Sequence, residues 1–132
     1  MIQAFAAVGA DVVIASRKKD ACEKLAREVE KQTGQRALAV GCHVANWEQC
    51  DALAKETLDH FGRIDVLVNN AGMSPKSDYK ERLGCLNGDL EAWHEVFELN
   101  LFAPLKLSRG FASALHRGEG AIVNVTSIAG HL

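Results

Sequence analysis

No apolar run in this 132-residue chain approaches the ~18 residues that a membrane span needs. The N-terminus carries neither the basic segment nor the apolar stretch of a secretory leader, so the cytoplasm is the expected compartment. An excess of one charge is missing too. Fifteen Lys and Arg stand against seventeen Asp and Glu, a net charge of −2, which leaves no electrostatic footprint for DNA or RNA. Lys18-Lys19 and the stretch from Lys31 to Arg36 read as solvated helix faces. Paired cysteines are also absent. Cys22, Cys42, Cys50 and Cys85 form no C-x-x-C, and Cys42-His43 has no second Cys/His cluster at zinc spacing. No metal is expected, and the cysteines read as buried reduced thiols.

What is present is alternation. "MIQAFAAVG" reads as a helix ending at Gly9, and "DVVIAS" (11–16) as a short apolar strand. Residues 19–33 carry Cys22, Leu25, Ala26 and Val29 at helical spacing, and Gly34 ends the run. "RALAVGCHV" (36–44) is a second strand. Asn46 then caps a helix, with Gln49 placed to complete a capping box and a stripe of Cys50, Leu53, Ala54, Thr57, Leu58 and Phe61. "IDVLVNN" (64–70) is a third strand. A polar loop with Pro75 and Asn87-Gly88 leads to a long helix over about 90–115, and "AIVNVTS" (121–127) is a fourth strand. Helices alternating with unbroken apolar strands predict a doubly wound parallel α/β sheet buried on both faces, in a single domain over 1–132.

In such sheets ligands sit beyond the carboxyl ends of the strands. Here those ends are Ser16-Arg17-Lys18, Cys42-His43-Val44, Asn69-Asn70-Ala71-Gly72 and Thr126-Ser127. All four are small, polar or hydrogen-bonding, which predicts one ligand crevice. Two consecutive amides after a buried strand require at least one to face inward, where it needs hydrogen-bond partners. Ala71 and Gly72 keep the chain slim, so backbone can approach a flat ligand. The bland alternatives are a plain Asn-Gly turn, a strand-end serine capping a turn, and a solvated Arg17.

"VLVNNAG", together with "GADVVIASRK" (9–18), "FELNLFAP" (97–104) and "VNVTSIAG" (123–130), resembles the short-chain dehydrogenase/reductase family across the whole chain. The resemblance implies a Rossmann-type fold, a nicotinamide cofactor, and hydride transfer between that cofactor and an alcohol or carbonyl substrate. It implies that Ser127 is the catalytic serine, bonding the substrate oxygen and helping to stabilise developing negative charge. It makes Asn100 the catalytic asparagine. The helical stripe Trp93, Val96, Phe97, Asn100, Leu101, Pro104 predicts Asn100 on a buried face, its carbonyl released by Pro104 to hold a relay water. Ser16, Arg17 and Lys18 offer a hydroxyl and two cations and no acid before Asp20, which suits the 2′-phosphate of NADP(H) better than the ribose of NAD(H). His43 stands where many members carry an acid beside the adenine, and "CHV" with "SRK" resembles the NADP-dependent carbonyl reductase branch. His43, Val44, Asn70, Ala71 and Gly72 complete the implied cofactor contacts.

The same resemblance implies two parts that the 132 residues do not contain. One is a glycine-rich turn after a first strand, expected before Met1. The other is a Tyr-x-x-x-Lys pair, expected after Leu132. Tyr79 is the single tyrosine and is followed four residues later by Leu83. The expectation is an internal piece of a longer enzyme, inactive alone, with unpaired inner edges on the strands at 11–16 and 64–70. The intact enzyme would be a homo-oligomer, dimer or tetramer, acting on a ketone or 3-oxoacyl thioester. The competing readings are a non-catalytic remnant serving weak nucleotide binding or subunit assembly, and a flavodoxin-like signalling domain. The latter does not explain NNAG together with Ser127 and Asn100.

Overall fold

The computed structural model describes residues 1–74 and 89–127. The chain divides into two compact units, Met1–Gly62 and Arg63–Leu132. Pro75, Tyr79, Leu83, Cys85, Asn87-Gly88 and the residues after Ser127 lie outside the described residues.

The first unit runs α1 (Ile2–Ala7), β1 (Val12–Ser16), α2 (Lys19–Thr33), β2 (Ala37–Gly41) and α3 (Trp47–Phe61). β1 and β2 are parallel, in register from Val12↔Ala37 to Ser16↔Gly41. The expected stripe of α2 is the one that packs. Cys22, Ala26 and Val29 are buried with Ala6, Val12 and Ile14, and Leu25, Ile2, Ala37 and Ala39 close around them. Both long helices stop where glycine permits a left-handed residue: Gly34 (φ 75°) and Gly62 (φ 74°) return their N–H groups to Glu30 and Leu58. Asn46 Oδ1 caps α3 by accepting from Gln49 N at 2.9 Å, a bond of about 1 kcal/mol. The expected capping box is only half made. Asn46 N–H is already given to His43 O at 2.8 Å, so the Gln49 side chain accepts from His43 N at 2.7 Å instead. At the opposite end of the strands, Asp11 accepts from Arg36 N and Nε, both at 2.9 Å. The guanidinium of Arg36 lies 4.8 Å above the Phe61 ring centroid, adding a cation–π contact.

The second unit runs β3 (Val66–Asn69), α4 (Leu90–Phe97), a π-helical turn (Glu98–Phe102), α5 (Ala103–Arg117) and β4 (Ala121–Asn124). β3 and β4 are parallel, Val66↔Ala121 through Asn69↔Asn124. α5 packs on both strands, burying Leu107, Phe111, Ala114 and Leu115 with Leu67. β4 can begin where it does because residue 120 is glycine. A Cβ there would stand 2.6 Å from Asp65 O, and Ala121 N donates to that same oxygen at 2.8 Å.

Three further expectations need correction. The single helix over 90–115 is interrupted. Pro104 has no N–H and its ring crowds the carbonyl four residues back, so the chain widens into a π turn in which Ala103 N–H reaches Glu98 O. Asn100 is not on a buried face: no residue of α4 or of the π turn is buried, and Phe97 and Leu101 are about half exposed. Nor is every strand covered on both faces, since all residues of β4 are exposed. An unbroken apolar run reports what a strand can bury, whereas burial also requires a covering layer. Among the described residues β1 pairs with β2 alone and β3 with β4 alone, so each sheet has two strands. No helix among the described residues is long and apolar enough to cross a membrane.

Candidate functional site

In the first unit the carboxyl ends of β1 and β2 lie side by side, joined by Cys42 N to Ser16 O at 3.0 Å. Ser16, Arg17 and Lys18 are all exposed there. The Ser16 hydroxyl accepts from Lys18 N at 3.4 Å, a short serine turn that directs the chain into α2. Gly41 lets that helix approach, because its Cβ would meet Lys19 Cβ at 3.3 Å. His43 and Val44 are half-buried in the next turn. His43 Nδ1 accepts from Ala45 N at 3.3 Å. Val44 O accepts from Cys50 Sγ at 3.1 Å. Beneath the turn, Cys42 and Cys50 are both buried, and burial together with the Cys50 thiol pushes Cys42 up to about 11. The structure therefore brings Ser16, Arg17, Lys18, His43 and Val44 to one end of one small sheet. These five residues supply two cations, a hydroxyl, an imidazole and backbone.

In the second unit Asn69 is the inward amide that the sequence requires, at 8% exposure. Its Nδ2 donates to Asn124 Oδ1 at 2.9 Å and lies 3.5 Å from Ser108 Oγ, while its own Oδ1 is buried without a hydrogen-bond partner among the described residues. Asn70, Ala71 and Gly72 follow, all exposed. The turn is then met by Asn100: Met73 N donates to Asn100 Oδ1 at 2.9 Å, and Asn100 Nδ2 donates to Met73 O at 2.8 Å. Gly72 leaves room for that amide, since a Cβ would come within 3.2 Å of Asn100 Oδ1. Ser127 is exposed, three residues beyond Asn124 on the chain that leaves β4. Sequence reading missed Met73, Ser108 and Asn124. Asn124 was detectable as the one amide inside an apolar strand run, but Ser108 looks like any polar residue on a long helix.

The model of the family described as short chain dehydrogenase matches residues 1–132. The chain belongs to the short-chain dehydrogenase family. A 3-oxoacyl-[acyl-carrier-protein] reductase of Synechocystis is 38% identical over 129 residues, which is 96% of this chain and 49% of that protein. L-Sorbose reductase of Gluconobacter frateurii, solved with NADPH and L-sorbose, superposes with a TM-score of 0.87 at 31% identity, over 96% of this chain and 46% of that one. A 7α-hydroxysteroid dehydrogenase solved with NADH and 7-oxo glycochenodeoxycholic acid gives 0.83 at 29%, over 96% and 47%. The fold is thus the Rossmann-like α/β fold of these dehydrogenases, and the chain spans about half the length of the relatives it matches.

Proposed function

We propose that this short-chain dehydrogenase chain serves hydride transfer between NADP(H) and an alcohol or carbonyl substrate. The observation that carries the reading is the turn Asn70–Met73: exposed over Asn70–Gly72, slim at Ala71 and Gly72, and pinned at both ends by buried or paired amides. Such a turn presents backbone to a flat ring without a side chain in the way. The cofactor, when bound, supplies or accepts the hydride; the roles below belong to the protein.

Arg17, with Lys18 and the Ser16 hydroxyl, takes the 2′-phosphate. A guanidinium matches phosphate in geometry and charge, and no acid follows Ser16 before Asp20 to favour the ribose of NAD(H). His43 and Val44 flank the adenine. Asn70, Ala71 and Gly72 contact the nucleoside part of the cofactor. Ser127 bonds the substrate oxygen and stabilises negative charge as it develops. Asn100 holds Met73, and its backbone carbonyl, four residues before Pro104, is offered to a relay water. The Synechocystis relative, a 3-oxoacyl reductase by name, favours a 3-oxoacyl thioester or ketone as substrate. We place the protein in the cytoplasm, with both units in one nucleotide-binding domain. Phe97, Leu101 and Leu105, exposed at successive helical turns, suit contact with a second copy. The 132 residues by themselves do not turn over substrate, because they hold no Tyr-x-x-x-Lys to protonate its oxygen.

Titration of the chain with NADPH and NADH tests the reading. NADPH should bind more tightly, and Arg17→Asp should cut that preference at least about tenfold, the scale of one charge-assisted bond. Equal affinity for the two cofactors, unchanged in the variant, would mean that Arg17 faces only solvent.

A further inference from the structure

We infer that Ser108 and Asn124 are positioning residues that hold the Asn70–Met73 turn in place; the inference rests on the proposal that this turn meets the cofactor. Asn69 precedes the turn and sits directly opposite Asn124 in the β3–β4 register. The two strands are joined there twice, by Asn69 Nδ2 to Asn124 Oδ1 at 2.9 Å and by Val125 N to Asn69 O at 3.0 Å. Ser108 Oγ, from α5, is the third member, 3.5 Å from the same nitrogen. At the far end of the turn Asn100 makes its two bonds to Met73. Both restraints thus reach the turn from one helical stretch, at Asn100 and Ser108.

The π turn explains how. On an uninterrupted α-helix, residues eight apart are rotated by about 80°. One extra residue absorbed by the Glu98–Phe102 turn brings Ser108 back toward the side that carries Asn100. Pro104 therefore does more than interrupt a helix. It sets the phase that lets an amide and a hydroxyl grip the two ends of one short turn. Burial cannot do this job, because Asn70, Ala71 and Gly72 are exposed. The ties must be polar, and Asn69, from which they start, is itself buried at 8% exposure.

Amide hydrogen exchange on the full chain tests this, in the wild type and in Ser108→Ala, Ser108→Thr, Asn124→Leu and Asn124→Asp. Ser108→Ala and Asn124→Leu should speed exchange at Asn70 and Met73 roughly tenfold, with Leu67 and Ile122 near the wild-type rate. Ser108→Thr and Asn124→Asp, which keep the hydroxyl and the acceptor oxygen, should restore slow exchange. Uniform acceleration along β3 and β4, or no change at Asn70 and Met73, would overturn the inference. So would failure of the two conservative variants to rescue. NADPH titration of the same variants gives the second readout, a weaker affinity in Ser108→Ala and Asn124→Leu alone. A chain that binds no nucleotide would defeat the cofactor proposal while the exchange pattern still decides the positioning role.

Discussion

Asn100 and Met73 exchange two hydrogen bonds, the side-chain amide of one closing on the backbone N–H and C=O of the other at 2.9 and 2.8 Å. The amide behaves as one rung of a β-ladder, supplied by a helix. An asparagine can do this because it carries a donor and an acceptor at fixed spacing.

Asn100→Asp should therefore fail where its size suggests it would succeed. The carboxylate still accepts from Met73 N but faces Met73 O with no donor. Each lost bond is worth about 0.5–1.5 kcal/mol, toward the lower end at an exposed site. Exchange at the Met73 amide should quicken in Asn100→Ala, and Asn100→Asp should show a displaced Met73 carbonyl shift by NMR. A wild-type Met73 shift in the Asp variant would mean that the Nδ2 bond is dispensable.

Gly120→Ala should be the most damaging alanine substitution among the glycines near β4. The new Cβ would stand 2.6 Å from Asp65 O and 2.8 Å from Leu115 Cδ2, so either β4 or α5 must shift. Overpacking of this kind costs about 1–3 kcal/mol. Gly118→Ala is the control, with its Cβ 3.5 Å from Ile64 O. Urea midpoints of the two variants give the comparison, and equal midpoints would refute the close approach.

Asp11 should make stability fall in acid. The Arg36 side chain and then its backbone N–H hold the Asp11 carboxyl below the ordinary carboxylate value. A depressed folded value means that the contribution is present above the unfolded value of about 3.9 and is lost as pH falls through the folded one. The gap in thermal midpoint between wild type and Asp11→Asn should thus narrow as pH falls below the ordinary carboxylate value of about 3.9, and salt should shrink it at neutral pH because the pair is exposed. A gap that persists in acid would assign the effect to packing.

Cys42 should act in the opposite direction, at high pH. Its thiol is raised from near 9 to about 11 in the folded chain, so the folded state keeps a proton that the unfolded state releases between those values. Stability should then decline across that window, and Cys42→Ala should lack this decline. Alkylation with iodoacetamide at pH 8 should spare Cys42 until urea is added. Rapid labelling of Cys42 in the native chain would contradict its burial.

Much of this protein was legible in one dimension. The α2 stripe, the glycine stops at Gly34 and Gly62, the Asn46 cap and the inward amide of "NNAG" depend on neighbours a few residues away, where periodicity and backbone freedom decide the outcome. The strand ends also fell where apolar runs give way to polar residues, which located Ser16–Lys18, His43 and Asn70–Gly72. Other features are decided by contacts between distant segments. Asn100 lost its expected buried place because no layer covers α4 or the π turn among the described residues, and it gained Met73, twenty-seven residues away. The partnership of Asn69 with Asn124 and Ser108 spans up to fifty-five residues. Gly120 is required because a Cβ there would stand 2.6 Å from Asp65 O and 2.8 Å from Leu115 Cδ2. Local sequence sets which backbone conformations are inexpensive. Which donor meets which acceptor depends on the register of β3 against β4 and on the helical phase set at Pro104, and those exist only once the chain has folded.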